Sequence, residues 1–262
     1  MVTYLNILKR PDIKNPILIE GLPGIGNVGK VVVEYMIEKL NAKKMAELYS
    51  SHFPYHVFVG ENDTISLPNN EFYYWKHKKR GQKDIIFLTG DIQSITPEGH
   101  YEIGSRILEF VSEFGNREII TIGGFGLQKI PKKPRVIGAV IDKRLKTKLK
   151  RAGVEFSGGS RIGFIVGASG LLLGLGKLMG KTGCCLMGET ISSQPFFTDS
   201  KAAKTVLSVL NKFLKLDIDM EEINEMSGEM EKAISKAKEI QQRLLDEMNL
   251  STAPGDELRY IG

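Results

Sequence analysis

The stretch Pro16–Glu20 (PILIE) leads directly into Gly21–Gly29 (GLPGIGNVG). The first five residues form a short apolar run, which is typical of a strand that is buried on both faces of a sheet. From about Asn27 to Leu40, apolar residues recur with the 3.6-residue period of an amphipathic helix. A strand, a glycine-rich corner and a helix in this order predict the first unit of an α/β fold.

The same alternation continues along the chain to about residue 216. We therefore predict a three-layer α/β/α core with a mostly parallel sheet over residues 1–216. Thr96 and Pro97 mark a helix start, and the helix that follows is expected to bury Tyr101. Asp199 is expected to cap another helix. Further strands are predicted at 45–59, 72–76, 84–90, 118–122 (closed by the glycines of 123–126), 135–141 and 184–189, and helices at 97–115, 143–151, 167–180 and 199–214.

Composition restricts the class of protein. Of the 262 residues, 42% are hydrophobic and the net charge is +5, which excludes global disorder. The longest uncharged stretch, residues 162–176, is too short for a helix that crosses a bilayer, which needs about 20 residues. The first 15 residues have no continuous apolar region, so we expect no signal peptide and a cytoplasmic protein. Cys184 and Cys185 are neighbours and are expected to be buried, small apolar residues, as in a reducing compartment.

Residues 217–250 differ from the body and are predicted to form an acidic, amphipathic helical arm. From Asp217 to Asn249 there are ten acidic and four basic residues, whereas residues 1–216 carry a net charge of +12. The arm could pack on the body, or it could pair with another helix within the chain or between subunits. Its apolar or small residues step by three and four, as in a coiled-coil seam: Ile223, Met226, Met230, Ala233, Ala237, Ile240 and Leu244.

The last segment, residues 251–262, is predicted to be a flexible docking tail. It is polar at first, with Pro254 and Gly255, and ends in Leu-Arg-Tyr-Ile-Gly. Chain termini are usually polar surface, so an apolar and aromatic end is unusual. We predict that Leu258, Tyr260, Ile261 and Gly262 bind a partner.

A nucleotide-binding role for the corner is the main alternative. Gly24–Gly29 matches the dinucleotide fingerprint G-x-G-x-x-G between a strand and a helix, and Glu47 is a candidate for the ribose contact. Lys30 also fits a P-loop, but Val31 lacks the hydroxyl that would bind Mg²⁺. Glycines at such a corner are equally required for a tight turn without any phosphate. The alternative function is therefore a nucleotide- or nucleoside-binding enzyme.

Other polar residues give weaker signals. Asp91, Glu98 and His100 follow the strand predicted at 84–90, where α/β folds place ligands, but helix capping and surface polarity explain them as well. The four histidines show no metal-binding spacing. The basic clusters at 76–80 and 143–151 have no aromatic platform beside them, which favours a solvated face or an acidic protein partner over nucleic acid.

Several motifs in one order resemble the archaeal branch of the proteasome assembly chaperone family, the PAC2 family. They are Gly21–Gly29, Thr96-Pro97-Glu98-Gly99-His100-Tyr101, Gly123-Gly124-Phe125-Gly126, Gly167–Gly174 and Gly188-Glu189-Thr190.

The resemblance implies an α/β/α core related to nucleoside-phosphorylase-like folds, no cofactor, and homo-oligomerisation. It also implies binding to proteasome α subunits or the core particle without ATP hydrolysis. Members of the family can end in a hydrophobic–Tyr–any-residue tail that enters pockets between α subunits. In this chain Tyr260 is third from the end rather than penultimate.

Overall fold

The computed structural model describes residues 3–77, 82–156, 163–192 and 197–229. Its helices are α1 (Val28–Lys39), α2 (Pro97–Ser112), α3 (Leu145–Ala152), α4 (Ala168–Leu178) and α5 (Ser200–Leu214). Its strands are β1 (Thr3–Ile7), β2 (Ile17–Glu20), β3 (Lys43–Ser50), β4 (Phe58–Val59), β5 (Ile65–Ser66), β6 (Asn70–Trp75), β7 (Ile85–Gly90), β8 (Glu118–Leu127), β9 (Val136–Val140), β10 (Val154–Glu155) and β11 (Thr182–Ile191).

One large sheet forms the middle layer, with the strand order β1-β3-β6-β7-β2-β8-β11-β9-β10. Its centre, β7-β2-β8-β11, is parallel throughout, which confirms the predicted sheet type. On one side β6, β3 and β1 continue in antiparallel pairing. On the other side β9 is antiparallel to β11, and β10 is parallel to β9. The strands β4 and β5 form a separate antiparallel pair.

Helices cover both faces of this sheet, as predicted. One hydrophobic core lies between the sheet and α1, α3 and α5, and a second core lies between the sheet and α2 and α4. All four residues of β2 are buried, because helices cover the strand on both faces. The predicted helix caps are confirmed: Thr96 accepts a hydrogen bond from the Gly99 amide, and Asp199 accepts one from the Ala202 amide.

Three local predictions are wrong. The strand predicted at 45–59 ends at Ser50, where the chain turns and the Phe53 amide donates to the Ser50 carbonyl. The glycines of 123–126 continue β8 rather than closing it, because β11 pairs with the strand as far as Leu127. Tyr101 is 60% exposed. It lies two residues from the buried Ile103, and residues at that spacing point to different sides of a helix.

The beginning of the predicted arm packs on the body. Residues 221–229 are helical, and Ile218 and Ile223 are buried in the core beside α1 and α5. Asn211 holds this start in place, since its side chain donates to the Ile218 carbonyl at 3.0 Å and accepts from the Ile218 amide at 3.2 Å. The rest of the 217–250 arm and the 251–262 tail lie outside the described residues.

Candidate functional site

The glycines of the Gly21–Gly29 corner allow backbone segments to touch. A Cβ atom on Gly21 would lie 2.1 Å from the Gly29 carbonyl oxygen, and one on Gly29 would lie 2.4 Å from the Ile122 carbonyl oxygen. The corner therefore packs directly on itself and on β8. Gly24 is different, since a Cβ there would meet its nearest atom only at 3.9 Å.

The middle of the corner contacts β11 and the start of α5. Gly26 has a φ of +63°, a backbone conformation that favours glycine, and its Cα faces Thr190. Thr190 donates a 2.7 Å hydrogen bond to Asp199, whose amide donates to the Gly26 carbonyl at 2.8 Å. These contacts explain why small residues are needed in the corner without invoking a bound phosphate.

The two residues that a nucleotide would use are engaged by the protein itself. The Lys30 ammonium donates to the Gly90 carbonyl at 2.9 Å and forms an ion pair with Glu34. Glu47 lies within β3, where its carboxylate accepts hydrogen bonds from Asn6, Lys44 and Tyr49. The pKa of Glu47 is lowered, because these hydrogen bonds outweigh the effect of burial.

The candidate acid–base residues do not form a cluster. The Asp91 carboxylate accepts from the Asn69 amide, and Glu98 is exposed in the first turn of α2. His100 is half-buried, and desolvation lowers its pKa. Within the described residues, no hydrogen bond or ion pair joins these three side chains, and no group of three His, Cys, Asp or Glu residues could hold a metal ion.

A buried carboxylate at the carboxyl end of β2 escaped the sequence analysis. Glu20 is fully buried, and its carboxylate accepts hydrogen bonds from the Leu22 amide and from the Ser169 hydroxyl, both at 3.0 Å. Burial raises the pKa of Glu20 to about 7, although the hydrogen bonds act in the opposite direction. Because Ser169 lies in the first turn of α4, this pair ties α4 to the central sheet. The only sequence signal is a charged residue at the end of an apolar run.

Cys184 and Cys185 are both buried, as predicted. Burial raises the pKa of each thiol, that of Cys185 to about 12, so these thiols are protonated and unreactive at neutral pH.

Exposed apolar residues flank α4, at the start of α2 and in the segment that leads into α4. A groove of about 570 Å³, here called the α4 groove, lies between the start of α2 and α4. Its walls include Ile95, Tyr101 and Val166, which are 61%, 60% and 78% exposed. A cleft of about 380 Å³ continues along the same helix past Phe164 to Lys177. Apolar patches of this kind mark protein–protein interfaces.

Charge is divided between the body and the beginning of the arm. All six charged residues of 217–229 are acidic, whereas 230–249 has four acidic and four basic residues. The acidic segment packs near α1 and the basic helix α5, and Glu222 forms an ion pair with Lys39 of α1. A cleft of about 320 Å³ beside it is lined by Lys133, Lys201 and Lys204. The acidic beginning of the arm thus packs beside basic residues of the body.

The family model that describes the PAC2 family matches residues 18–238. The chain belongs to the PAC2 family. The match covers the body from residue 18 onward and includes the motifs that carried the resemblance. The predicted tail residues Leu258, Tyr260, Ile261 and Gly262 fall outside both the match and the described residues, so their role remains a prediction.

Solved structures share the fold of this PAC2 chain. The structure of PbaB from Pyrococcus furiosus is 45% identical, covers 90% of this chain and 99% of its own, and superimposes with a TM-score of 0.83. PbaA from the same organism is 25% identical, covers 96% and 98%, and gives a TM-score of 0.73. The uncharacterized protein MJ1210 of Methanocaldococcus jannaschii is 36% identical over 95% of this chain and 93% of its own.

These similarities confirm the predicted fold class, an α/β core with a helical C-terminal part. Within the described residues, no helix is both long and apolar enough to cross a membrane.

Proposed function

We propose that this chain is a non-enzymatic, ATP-independent proteasome assembly chaperone-like protein. In this proposal it forms a homo-oligomer in the cytoplasm and binds proteasome α subunits or the core particle, partly through its C-terminal tail. The observation that carries the proposal is the similarity to PbaB, with 45% identity and a TM-score of 0.83. PbaB is an archaeal proteasome activator, and PbaA is an archaeal homolog of proteasome-assembly chaperone.

The tail supplies chemistry that suits shallow pockets on a protein ring. Leu258, Tyr260 and Ile261 would enter apolar pockets, and the terminal carboxylate of Gly262 would meet a cation. One such tail binds weakly. When several tails belong to one oligomer, the binding of one tail raises the effective concentration of the others near their pockets, so the oligomer binds more tightly. Each tail can dissociate independently of the others, which suits a scaffold that later releases its partner.

The contacts of the corner support the non-enzymatic part of the proposal. Gly21 and Gly29 are required by backbone contact, and Lys30 is bound to Gly90 and Glu34. We propose no cofactor, no metal and no nucleic-acid or membrane partner.

Deletion of the tail tests the proposal directly. Removal of Leu258–Gly262 should weaken binding to the proteasome core particle at least tenfold and leave the melting temperature unchanged. A matched control replaces Leu258, Tyr260 and Ile261 with serine at full length, which keeps the terminal carboxylate, and it should weaken binding similarly. Unchanged affinity in both variants would remove the tail from the mechanism.

A second candidate function is activation of the proteasome rather than assistance in its assembly. The observation that favours it is that the sequence identity to PbaB is higher than the identity to PbaA. An activator stimulates peptide hydrolysis by finished core particles, whereas an assembly chaperone binds free α subunits and speeds their assembly. Both assays on the full-length chain distinguish the two forms.

The alternative, a nucleotide- or nucleoside-binding enzyme that uses Gly24–Gly29, makes a different prediction. A ligand at 100 times its Kd stabilises the folded state by about 2.7 kcal/mol. Titration with NAD, ATP and nucleosides should therefore raise the melting temperature if the alternative is correct, and should leave it unchanged if our proposal is correct.

A further inference from the structure

The β4–β5 hairpin exposes an unusual number of apolar side chains. Its two strands pair only with each other within the described residues, apart from the main sheet. Val59 and Ile65 are 70% and 72% exposed, and Leu67 beside them is 56% exposed. A two-stranded hairpin is marginally stable by itself in water, and apolar side chains on it gain stability only when something covers them.

The α4 groove and its continuation form one apolar trough on the same chain. The groove and the cleft beyond it share Ile165, Gly170 and Gly174 as lining residues. A Cβ on Gly174 would meet no atom within 4 Å, so the middle of the trough is open to an incoming segment. From Ala168 to Lys177 the helix extends about 14 Å, while one strand of the hairpin from Val57 to its turn at Glu61 spans roughly 13 Å. The two features are therefore similar in length.

Charge at the two ends is complementary. Asp63 lies in the hairpin turn and is exposed, and Lys177 lies at the far end of the trough. Within the described residues neither side chain has an ion-pair partner within 4 Å. An apolar hairpin with an acidic turn thus matches an apolar trough with a basic end.

We propose that the β4–β5 hairpin of one copy lies in the α4 groove of a second copy, with its turn at Lys177, and that the second hairpin does the same in return. This inference rests on the homo-oligomerisation in the proposed function and names its interface.

The position of the hairpin determines the symmetry of this contact. The Ile95 amide donates to the His52 carbonyl at 3.1 Å, and His52 Nδ1 lies 3.0 Å from Thr96 Oγ1. These bonds hold His52, six residues before β4, against Ile95 and Thr96 of the groove, so the chain that leads into the hairpin starts on the side of the groove. When a protruding segment and the groove that receives it lie on the same side of a subunit, two subunits can bind each other reciprocally about a two-fold axis. A head-to-tail ring instead needs the segment and the groove on opposite sides of the subunit. A symmetric dimer is therefore the basic unit, and larger oligomers would be built from it.

A charge exchange tests the pairing of Asp63 with Lys177. Asp63→Lys and Lys177→Asp should each raise the concentration at which the oligomer dissociates at least threefold, as measured by analytical ultracentrifugation. The double variant should recover native association, because the pair is then restored with reversed signs. Lys148→Asp, an exposed change of the same kind on α3, serves as the control and should have no effect. Weakening that is not recovered in the double variant would overturn the pairing.

A cross-link between two different copies tests the interface itself. Val57→Cys in one tagged chain and Val166→Cys in another are mixed, and a short bis-maleimide cross-linker is added. The native cysteines are buried and should not react. We expect a cross-linked species that carries both tags. If the native chain is an oligomer and this species does not form, the inference is wrong. Tail-dependent binding to the core particle, measured on the same variants, tests the proposed function separately. A native chain that sediments as a monomer overturns both the inference and the homo-oligomer part of the proposed function.

Discussion

Glu20 combines two properties that rarely occur together: it is fully buried, and within the described part of the chain none of its hydrogen-bond partners is a cation. Its partners are the Leu22 amide and the Ser169 hydroxyl. Both can donate to a carboxylate, but neither offsets the cost of burying a charge. Burial therefore raises the pKa from the usual 4.5 to about 7. The folded chain binds this proton more tightly than the unfolded chain, so folding is favoured at low pH and the benefit is lost as pH rises from about 4.5 to about 7.

The first prediction concerns Glu20→Gln. Glu20 should contribute to the free energy of unfolding of the native chain, and this contribution should fall by about 3 kcal/mol between pH 4.5 and pH 8. The size follows from the raised pKa, because each pKa unit corresponds to about 1.4 kcal/mol. The amide cannot ionise, so this contribution disappears in the variant, which should be more stable than the native chain at pH 8. Urea denaturation at pH 5 and pH 8 measures the difference. The exposed Glu98→Gln is the control, and an equal pH dependence in native chain and Glu20→Gln would contradict the assignment.

The second prediction separates the two explanations of the glycine-rich corner. Gly29→Ala places a methyl group 2.4 Å from the Ile122 carbonyl oxygen, so it should destabilise the fold by several kcal/mol or prevent folding. Gly24→Ala places one at 3.9 Å and should be tolerated. Thermal melts measure both effects. If both variants fold equally well, close packing is not what the corner requires. A Gly24→Ala variant that folds but loses a ligand-induced shift in melting temperature would instead support nucleotide binding.

At the scale of elements, the beginning of the arm behaves as a part of the core. Ile223 is completely buried among residues of α1 and α5, whereas Glu222 beside it is exposed and pairs with Lys39. The apolar contact therefore provides most of the binding energy here, and the ion pair adds little because water screens it.

The third prediction follows from this difference. Ile223→Ala should lower the free energy of unfolding by about 2–4 kcal/mol, as expected for a large-to-small change in a core. Glu222→Gln should change it by less than about 1 kcal/mol. Urea denaturation monitored by circular dichroism gives both values. A negligible effect of Ile223→Ala would mean that residues 217–229 do not pack on the body in solution.

The central elements could be predicted because their sequence patterns are local. β2, β7 and α1 are continuous apolar or periodic runs, and Asp199 and Thr96 have the residue types of helix caps. The apolar pattern over 45–59 did not indicate that β3 ends at Ser50 and that a separate hairpin follows it. β8 extends through its glycines only because β11 pairs with it, and no local pattern contains that information.

The candidate site divides in the same way. Sequence indicated that the corner glycines are structural, and the contacts of Gly21 and Gly29 agree with that interpretation. It could not indicate Glu20, since one charged residue after an apolar run is a common strand end. It also could not locate the α4 groove, because the groove combines residues from α2 and α4 that are more than 60 positions apart, such as Tyr101 and Leu171.

At the scale of the whole molecule, the proposed function requires separate parts to act together. The body and the beginning of the arm form one packed unit, and the tail follows the arm in the sequence. A single short tail buries too little surface for stable binding, since specific interfaces usually bury about 1,600 Å². In the proposed function, an oligomer contributes the difference by holding several tails together.

The fourth prediction tests this requirement. A folded variant that sediments as a monomer but keeps Leu258–Gly262 should bind the core particle about a hundredfold more weakly than the native oligomer, or weaker still, because it loses the effective concentration of the other tails. Binding to sparsely immobilised core particles measures the ratio. Fusion of an unrelated dimerising helix to the same variant should recover part of the loss, which a damaged binding surface would not allow. If the monomeric variant binds as tightly as the native chain, the affinity resides in a single contact and the tails do not act together.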